Sequence, residues 1–337
     1  MMIPKHLFVM QSKDPMIRRE STSGGAFSEI AKYVIHQGGL VFGAAFDEKM
    51  RVTHQYVEDV AKLSRFRGSK YVQSQPGEAF VQVKSFLEQG RMVCFSGTPC
   101  QVTGLKRFLG KDYEKLILVD VICRATPSPM MWHDYYAEIS KNATASIQKV
   151  RFRDKYYGYK FSTFSLYTDE PKKDYHKGVE SDPWLRSFFS GSNIRPSCSK
   201  CAFKGIDKVA DFTLWDCFDI CKYSREMDDD KGTTGVLIHS EKGMSILKKI
   251  SDAVICKELP ISDGMGKPQL YHSAEISPKR EDFMAVYAEK GVKIAMEQFY
   301  PQTLKTKTKW VGRVVLTKTG LYTGIKRLHI IMKAKGK

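Results

Sequence analysis

The sequence predicts an α/β protein of the mixed α+β kind: a mixed sheet with flanking helices, a β-richer second half and a helical C-terminal tail. Three observations predict it. Through residues 1–145, apolar runs of strand length alternate with stretches of helical periodicity. Over residues 146–300 the segments shorten and read more often as strands. Over residues 301–337 apolar residues recur at helical spacing in a stretch that holds many basic residues and no acid. Those three spans are the expected regions of the chain.

A chain of 337 residues with 42% hydrophobic and 27% charged residues can bury a large core. No apolar run approaches the length that spans a bilayer, and no charged-then-apolar leader precedes a cleavage site. A soluble, cytoplasmic protein is therefore expected. Eight cysteines in such a chain point to metal or redox use rather than to a disulfide scaffold. The net charge of +17 suits an anionic membrane face or an acidic partner protein; nucleic acid is not expected as a partner.

Taken in order, residues 6–10 read as a strand in the leading segment. Ser21, Thr22, Ser23, Gly24 and Gly25 then open a helix over 26–35, and such a loop can present N–H groups to a phosphate. Residues 40–46 and 52–57 form two strands around a polar turn. The loop 65–74 carries Arg67, Gly68, Ser69, Lys70 and Tyr71, cations and amides that suit a pyrophosphate or the electron-rich edge of a flavin. Ser74 is placed to cap a helix over 76–89. Residues 91–110 give a buried strand, a turn at Gly97, and a helix with Thr98 at the N-cap and Pro99 at the first position. Cys100 thus sits in the first turn, where unpaired amides and the helix dipole favour a thiolate.

The strand over 116–122 ends at Cys123, and an aromatic-rich helix covers 130–139. Cys100 and Cys123 both follow strand ends, where open α/β sheets place their ligands. Strands over 147–152 and 159–167 flank a basic, aromatic hairpin, 153–158. A short helix over 182–190, strands over 209–215 and 235–239, and helices over 241–253 and 278–299 complete the body. In the tail, Leu321, Ile325, Leu328, Ile331 and Met332 share a helical face, which either lies on an anionic membrane or packs on the body.

Cys198-x-x-Cys201 is the firmest chemical signal, since two sulfurs on one tight turn can grip a metal or a cluster corner. Two pairs can complete the set. Cys217 and Cys221 would make a local site of nearly zinc-ribbon spacing; Cys100 and Cys123 would make a distant one. Spacing alone favours the local zinc site. Cys94 and Cys256 lie in apolar strands and read as structural. Dinucleotide, P-loop and zinc-protease templates are absent.

Five ordered motifs carry a resemblance. They are residues 21–28, 66–74 (Phe-Arg-Gly-Ser-Lys-Tyr-Val-Gln-Ser), 95–106 (Phe-Ser-Gly-Thr-Pro-Cys-Gln-Val-Thr-Gly-Leu-Lys), 119–123 with 127–129, and 195–205 (Arg-Pro-Ser-Cys-Ser-Lys-Cys-Ala-Phe-Lys-Gly). Together, over roughly residues 12–240, they resemble the beta-subunit family of coenzyme F-420 (deazaflavin) hydrogenases and dehydrogenases. That family includes plant hydroxymethyl-chlorophyll reductases and bacterial members found with polysaccharide biosynthesis. The resemblance implies an iron–sulfur flavoprotein oxidoreductase. FAD would bind in the 1–145 region, with Ser23, Gly24, Gly25, Arg67, Gly68, Ser69, Lys70, Tyr71, Gly97, Thr98 and Asp216 as its contacts. One [4Fe–4S] cluster would be held by Cys100, Cys123, Cys198 and Cys201, and the 146–300 region would carry cluster and substrate. This reverses the preference for local zinc.

Three departures from the family pattern stand out. Arg124-Ala125 replaces His-Gly, the segment 215–219 is altered, and no two-cluster ferredoxin module precedes the motifs. Electrons are accordingly expected from a separate ferredoxin-like donor, and the substrate is expected to be a small organic, sugar-derived molecule. Arg124, Arg153, Lys155 and Tyr157 are the candidates for its side of the site. The rival readings are a zinc- or cluster-bearing scaffold and a subunit that uses the deazaflavin itself.

Overall fold

In the computed structural model, which describes residues 2–335, the chain opens with strand β1 (His6–Ser12) and helix α1 (Pro15–Glu20). Helix α2 (Ala26–His36), strands β2 (Leu40–Phe46) and β3 (Val52–Val57), and helix α3 (Ala79–Glu88) follow. Next come β4 (Val93–Gly97), α4 (Pro99–Leu109), β5 (Leu116–Val121) and α5 (Pro129–Lys141). The second half supplies β6 (Ile147–Asp154), β7 (Thr163–Thr168), β8 (Tyr175–Gly178), α6 (Pro183–Ser190), β9 (Phe212–Asp216) and β10 (Thr234–Ile238). It continues with α7 (Glu241–Lys249), β11 (Val254–Leu259), α8 (Ile261–Met265), α9 (Pro268–Tyr271) and α10 (Arg280–Phe299). Helices α11 (Leu304–Lys318) and α12 (Leu321–Lys335) form the tail. Met1 of the expected leading segment and residues 336 and 337 of the expected tail lie outside the described residues.

The mixed α/β class holds. Eight strands form one sheet in the order β11-β1-β10-β9-β5-β4-β2-β3, and β6-β7-β8 form a second. Neighbours β2, β4, β5 and β9 run parallel, while β3 at one edge and β10, β1 and β11 at the other complete the sheet antiparallel to their neighbours. Side-chain alternation on the parallel strands sorts two cores. Val41, Cys94, Ile117 and Val119 pack with α2 and α7 on one face. Leu40, Phe42, Val93, Phe95, Leu116 and Leu118 pack with α3 and α4 on the other. A third core, centred on Trp132, Phe152 and Trp184, ties the small sheet to α5, α6 and α10.

Residues 1–145 and 146–300 both contribute to the large sheet, because β9, β10 and β11 return to lie between and beside β5 and β1. Several local expectations shift. Residues 159–161 form a 3-10 turn before β7, α7 ends at Lys249, and α10 is broken at Gly291 (φ 81°). Ser74 does not cap α3, which starts five residues later behind Glu78. Cys94 is fully buried as expected, but Cys256 is exposed, since β11 is an edge strand with most of its side chains in solvent. No helix among the described residues is long and apolar enough to cross a membrane.

Candidate functional site

The site begins at the C-terminal ends of β4 and β5. Thr98 ends the turn after β4, and the Gln101 carboxamide reaches back one turn to accept from the Thr98 amide at 3.0 Å. Cys100 is exposed in the first turn of α4, its sulfur 3.1 Å from the Thr98 hydroxyl. The other end of Gln101 donates to Ser74 Oγ at 2.8 Å and to the Ser74 carbonyl at 3.1 Å. Ser74 Oγ lies 3.0 Å from His54 Nδ1, and His54 Nε2 lies 3.0 Å from the Ser96 carbonyl. Burial brings the His54 pKa down to about 4, so the ring is neutral near pH 7. A carbonyl only accepts, so the ring proton sits on Nε2 and Nδ1 accepts from the Ser74 hydroxyl. This buried chain, which the sequence reading missed, anchors the start of α4 to β3 and β4. The Thr-x-x-Gln capping pattern was its visible signal.

Strand β5 delivers Cys123, whose carbonyl accepts from Lys204 Nζ at 2.6 Å. Cys198 lies on the 3-10 turn Pro196–Lys200, which hangs from the Thr126 carbonyl through the Arg195 amide at 3.0 Å. Cys201 is held by its amide on Ser273 Oγ at 2.9 Å. Cys100, Cys123, Cys198 and Cys201 line one pocket together with Arg124 and Lys204. Burial pushes the Cys123 thiol up to about 12, and negative charge on Cys100, Cys198 and Cys201 adds to it against the opposing pull of Lys204. Arg124 also keeps a buried Nε without a hydrogen-bond partner. Among the described residues, no three Cys, His, Asp or Glu side chains gather at the spacing of a single metal ion.

The local pairing that spacing favoured is not assembled. Cys217 is buried with Leu7, Val9 and Ile220, where burial raises its pKa, and the Cys198–Cys201 turn folds instead over the ends of β4 and β5. Long-range docking of that turn decides the grouping.

Beside this pocket lies a cationic cleft, lined by Arg65, Arg67, Gly68, Ser69 and Lys70 on one side and by residues 148–153 of β6 on the other. Thr22 Oγ1 accepts from the Ser69 amide at 2.7 Å, and Arg67 pairs with Glu20 at 2.6 Å. Burial, and after it the charge of Arg151, brings the Lys70 ammonium down to about 7. Ser23, Gly24 and Gly25 do not face the cleft. The Gly24 amide donates to Thr234 Oγ1 at 2.8 Å, the Ser23 hydroxyl sits 2.8 Å from the same oxygen, and Gly25 (φ 91°) starts α2. A Cβ on Gly24 would lie 2.1 Å from the Met10 carbonyl, so this glycine serves the approach of β1 and β10.

Tyr71 and Arg153 join the two hollows. The Tyr71 ring stacks on Phe188 at 4.6 Å, and its hydroxyl accepts from Arg153 at 3.0 Å. Arg153 pairs with Asp216 at 2.9 Å and lies over the Phe218 ring at 4.8 Å. Arg124 donates to the Phe189 carbonyl at 2.8 Å from the thiol side. Gly97 packs against Gln101. Lys155 and Tyr157 line neither hollow. The Lys155 ammonium donates to the carbonyls of Arg18 and Ser23 at 2.6 Å and of Lys231 at 2.7 Å, and Tyr157 packs on Phe161. All three protons of Lys155 are engaged in tying loops together, which corrects its expected place beside a substrate.

The fold is thus a mixed α/β sheet that brings four cysteines to one pocket at the C-terminal ends of its parallel strands, with a separate cleft rich in guanidinium and ammonium groups. Residues 90–263 match the family model that describes the C terminus of the coenzyme F420 hydrogenase/dehydrogenase beta subunit, and the chain belongs to that family. The fold is also similar to a chain in the F420-reducing [NiFe] hydrogenase complex from Methanosarcina barkeri, with TM-score 0.51 and 16% identity over 88% of this chain and 92% of that chain. At that identity the likeness is one of fold. No curated protein matches the sequence.

Proposed function

We propose that this protein is an oxidoreductase subunit that moves electrons between an iron–sulfur partner and a small organic substrate. It would use a [4Fe–4S] cluster and a flavin-class cofactor, FAD. The observation that carries the reading is the convergence of Cys100, Cys123, Cys198 and Cys201 on one pocket. The donor set suits a cubane: four cysteines line one pocket, and in a cubane each sulfur takes its own iron. The unpartnered, buried Arg124 Nε beside the cysteines suits the net negative charge of a thiolate-bound cluster.

The chain's own groups have definable roles in this reading. The first turn of α4 and the Thr98 hydroxyl would hold Cys100 in place. Lys204 and Ser273 hold the turns that carry Cys123 and Cys201. The cations of the cleft would bind the cofactor's phosphates, and Arg153 orients Tyr71 between the hollows. When bound, cluster and flavin together convert single-electron to two-electron transfer.

Anaerobic reconstitution with ferrous iron and sulfide tests the reading. Iron and inorganic sulfide should bind in equal amounts, Cys123→Ser should abolish that, and Cys217→Ser should not. A colourless chain that retains zinc, unaffected by Cys123→Ser, would sink the proposal in favour of the scaffold. The likeness of fold to a chain of an F420-reducing complex favours one second reading, in which the cleft takes the deazaflavin. Separate titrations with FAD and F420 distinguish the two. The sugar-derived substrate and the ferredoxin-like donor rest on the resemblance and on the basic surface. Failure of reduced ferredoxin to reduce the reconstituted chain at low salt rejects that donor.

A further inference from the structure

Helices α11 and α12 each leave an apolar stripe in water. An ordinary surface helix turns its apolar stripe to the protein and its polar face to water. Here α11 exposes Leu304, Val311 and Val315 at 82%, 49% and 53%, while α12 exposes Leu321, Ile325, Leu328 and Met332 at 58%, 51%, 63% and 71%. Their spacings place each set along a single helical face. The contacts with the body include several polar and charged ones. Arg313 pairs with Glu180 and donates to the Phe161 carbonyl at 2.7 Å, and Arg327 pairs with Asp228. Thr323 donates to Asp230 at 3.2 Å, and Lys177 sits over the Trp310 ring at 3.3 Å. Tyr322 is the buried aromatic anchor among them.

The exposed side therefore carries two apolar stripes among cationic side chains. Ten Lys and Arg and no Asp or Glu occur between residues 305 and 337. Contiguous apolar side chains left in water mark an interaction surface. We infer that this hairpin is a peripheral docking surface for a bilayer that carries anionic phospholipid. A bilayer answers both features at once, since the stripes enter the acyl boundary while lysines meet headgroup phosphates. A second copy of the hairpin would set like charges against each other. An acidic protein would satisfy the lysines without requiring two apolar stripes.

Vesicle sedimentation of the full chain tests this. Wild type should pellet with phosphatidylglycerol-containing vesicles at low salt and remain free with pure phosphatidylcholine. Leu321→Glu with Leu328→Glu should weaken pelleting by about tenfold or more, as should Lys305→Glu with Lys309→Glu. Lys62→Glu with Lys141→Glu, which changes net charge equally elsewhere, should pellet like wild type. Unchanged thermal melting of the variants shows that the fold is intact. The inference is overturned if wild type ignores anionic vesicles, or if the stripe variant pellets as well as wild type. It is also overturned if wild type instead forms a concentration-dependent dimer that the stripe variant abolishes.

Discussion

Gln101 and Ser74 are joined by two hydrogen bonds, at 2.8 and 3.1 Å, from one carboxamide to a hydroxyl and a carbonyl. Through them the turn that presents Cys100 is fastened to the loop after β3. Gln101→Leu removes the acceptor for the Thr98 amide and the donor for Ser74 together. Leaving such groups unpaired should cost about 1–3 kcal/mol, read from urea unfolding. The same variant should bind iron and sulfide more weakly than wild type, because Cys100 loses its fixed turn.

His54 should give a pH signature. Its folded pKa of about 4 lies below the ordinary 6.5, so the unfolded chain binds the extra proton between those values. The stability it contributes is complete above pH 6.5 and falls as pH drops toward 4. The slope in that window is on the order of 1 kcal/mol per pH unit. Asp120 and Asp182, raised to about 7 by burial, pull the opposite way. The difference between wild type and His54→Gln in urea unfolding at pH 7.5, 6 and 5 isolates the histidine. A difference that does not change with pH would contradict the assignment.

Two glycines from the motifs should behave differently. At Gly24 an added Cβ meets the Met10 carbonyl at 2.1 Å and the Thr234 nitrogen at 2.7 Å, both backbone atoms. Gly24→Ala should cost about 3 kcal/mol or more. At Gly68 (φ 86°) nothing lies within 4 Å, so Gly68→Ala meets only backbone strain of about 1–2 kcal/mol. Thermal melts should show the first variant severely destabilised and the second folded.

Lys70 should make anion binding in the cleft depend on pH near neutrality. A bound anion favours its protonated form, so affinity should fall up to about tenfold per unit as pH rises above 7. Calorimetric titration with inorganic pyrophosphate should show proton uptake in wild type, and Lys70→Met should remove it.

Lys155→Met tests the structural use of that ammonium. It leaves three carbonyls without their donor, which should lower stability by about 3 kcal/mol. Pyrophosphate affinity should change little at temperatures where the variant remains folded.

Much of this architecture follows from local signals. The alternation of β2, α3, β4, α4 and β5, the Thr98–Pro99 start of α4, and the exits to Cys100 and Cys123 are legible because strand period, capping and proline placement act over a few residues. The Ser-Gly loop was legible as a loop but not in its use. Its amide is taken by Thr234, 210 residues away, and no nearby residue announces that. Lys155 looked available for the same reason.

Short-range rules are enough for the local elements around the thiols, the cationic loop, and a tail whose stripes and charges are both written in helical spacing. Which cysteines line one pocket, the return of β9 and β10 to separate β5 from β1, and the side of α11 and α12 that faces water all depend on the folded whole. The difference is one of range. Capping and periodicity act within a turn or two, whereas the Cys198–Cys201 turn and the tail take their places by docking against surfaces formed by distant parts of the chain.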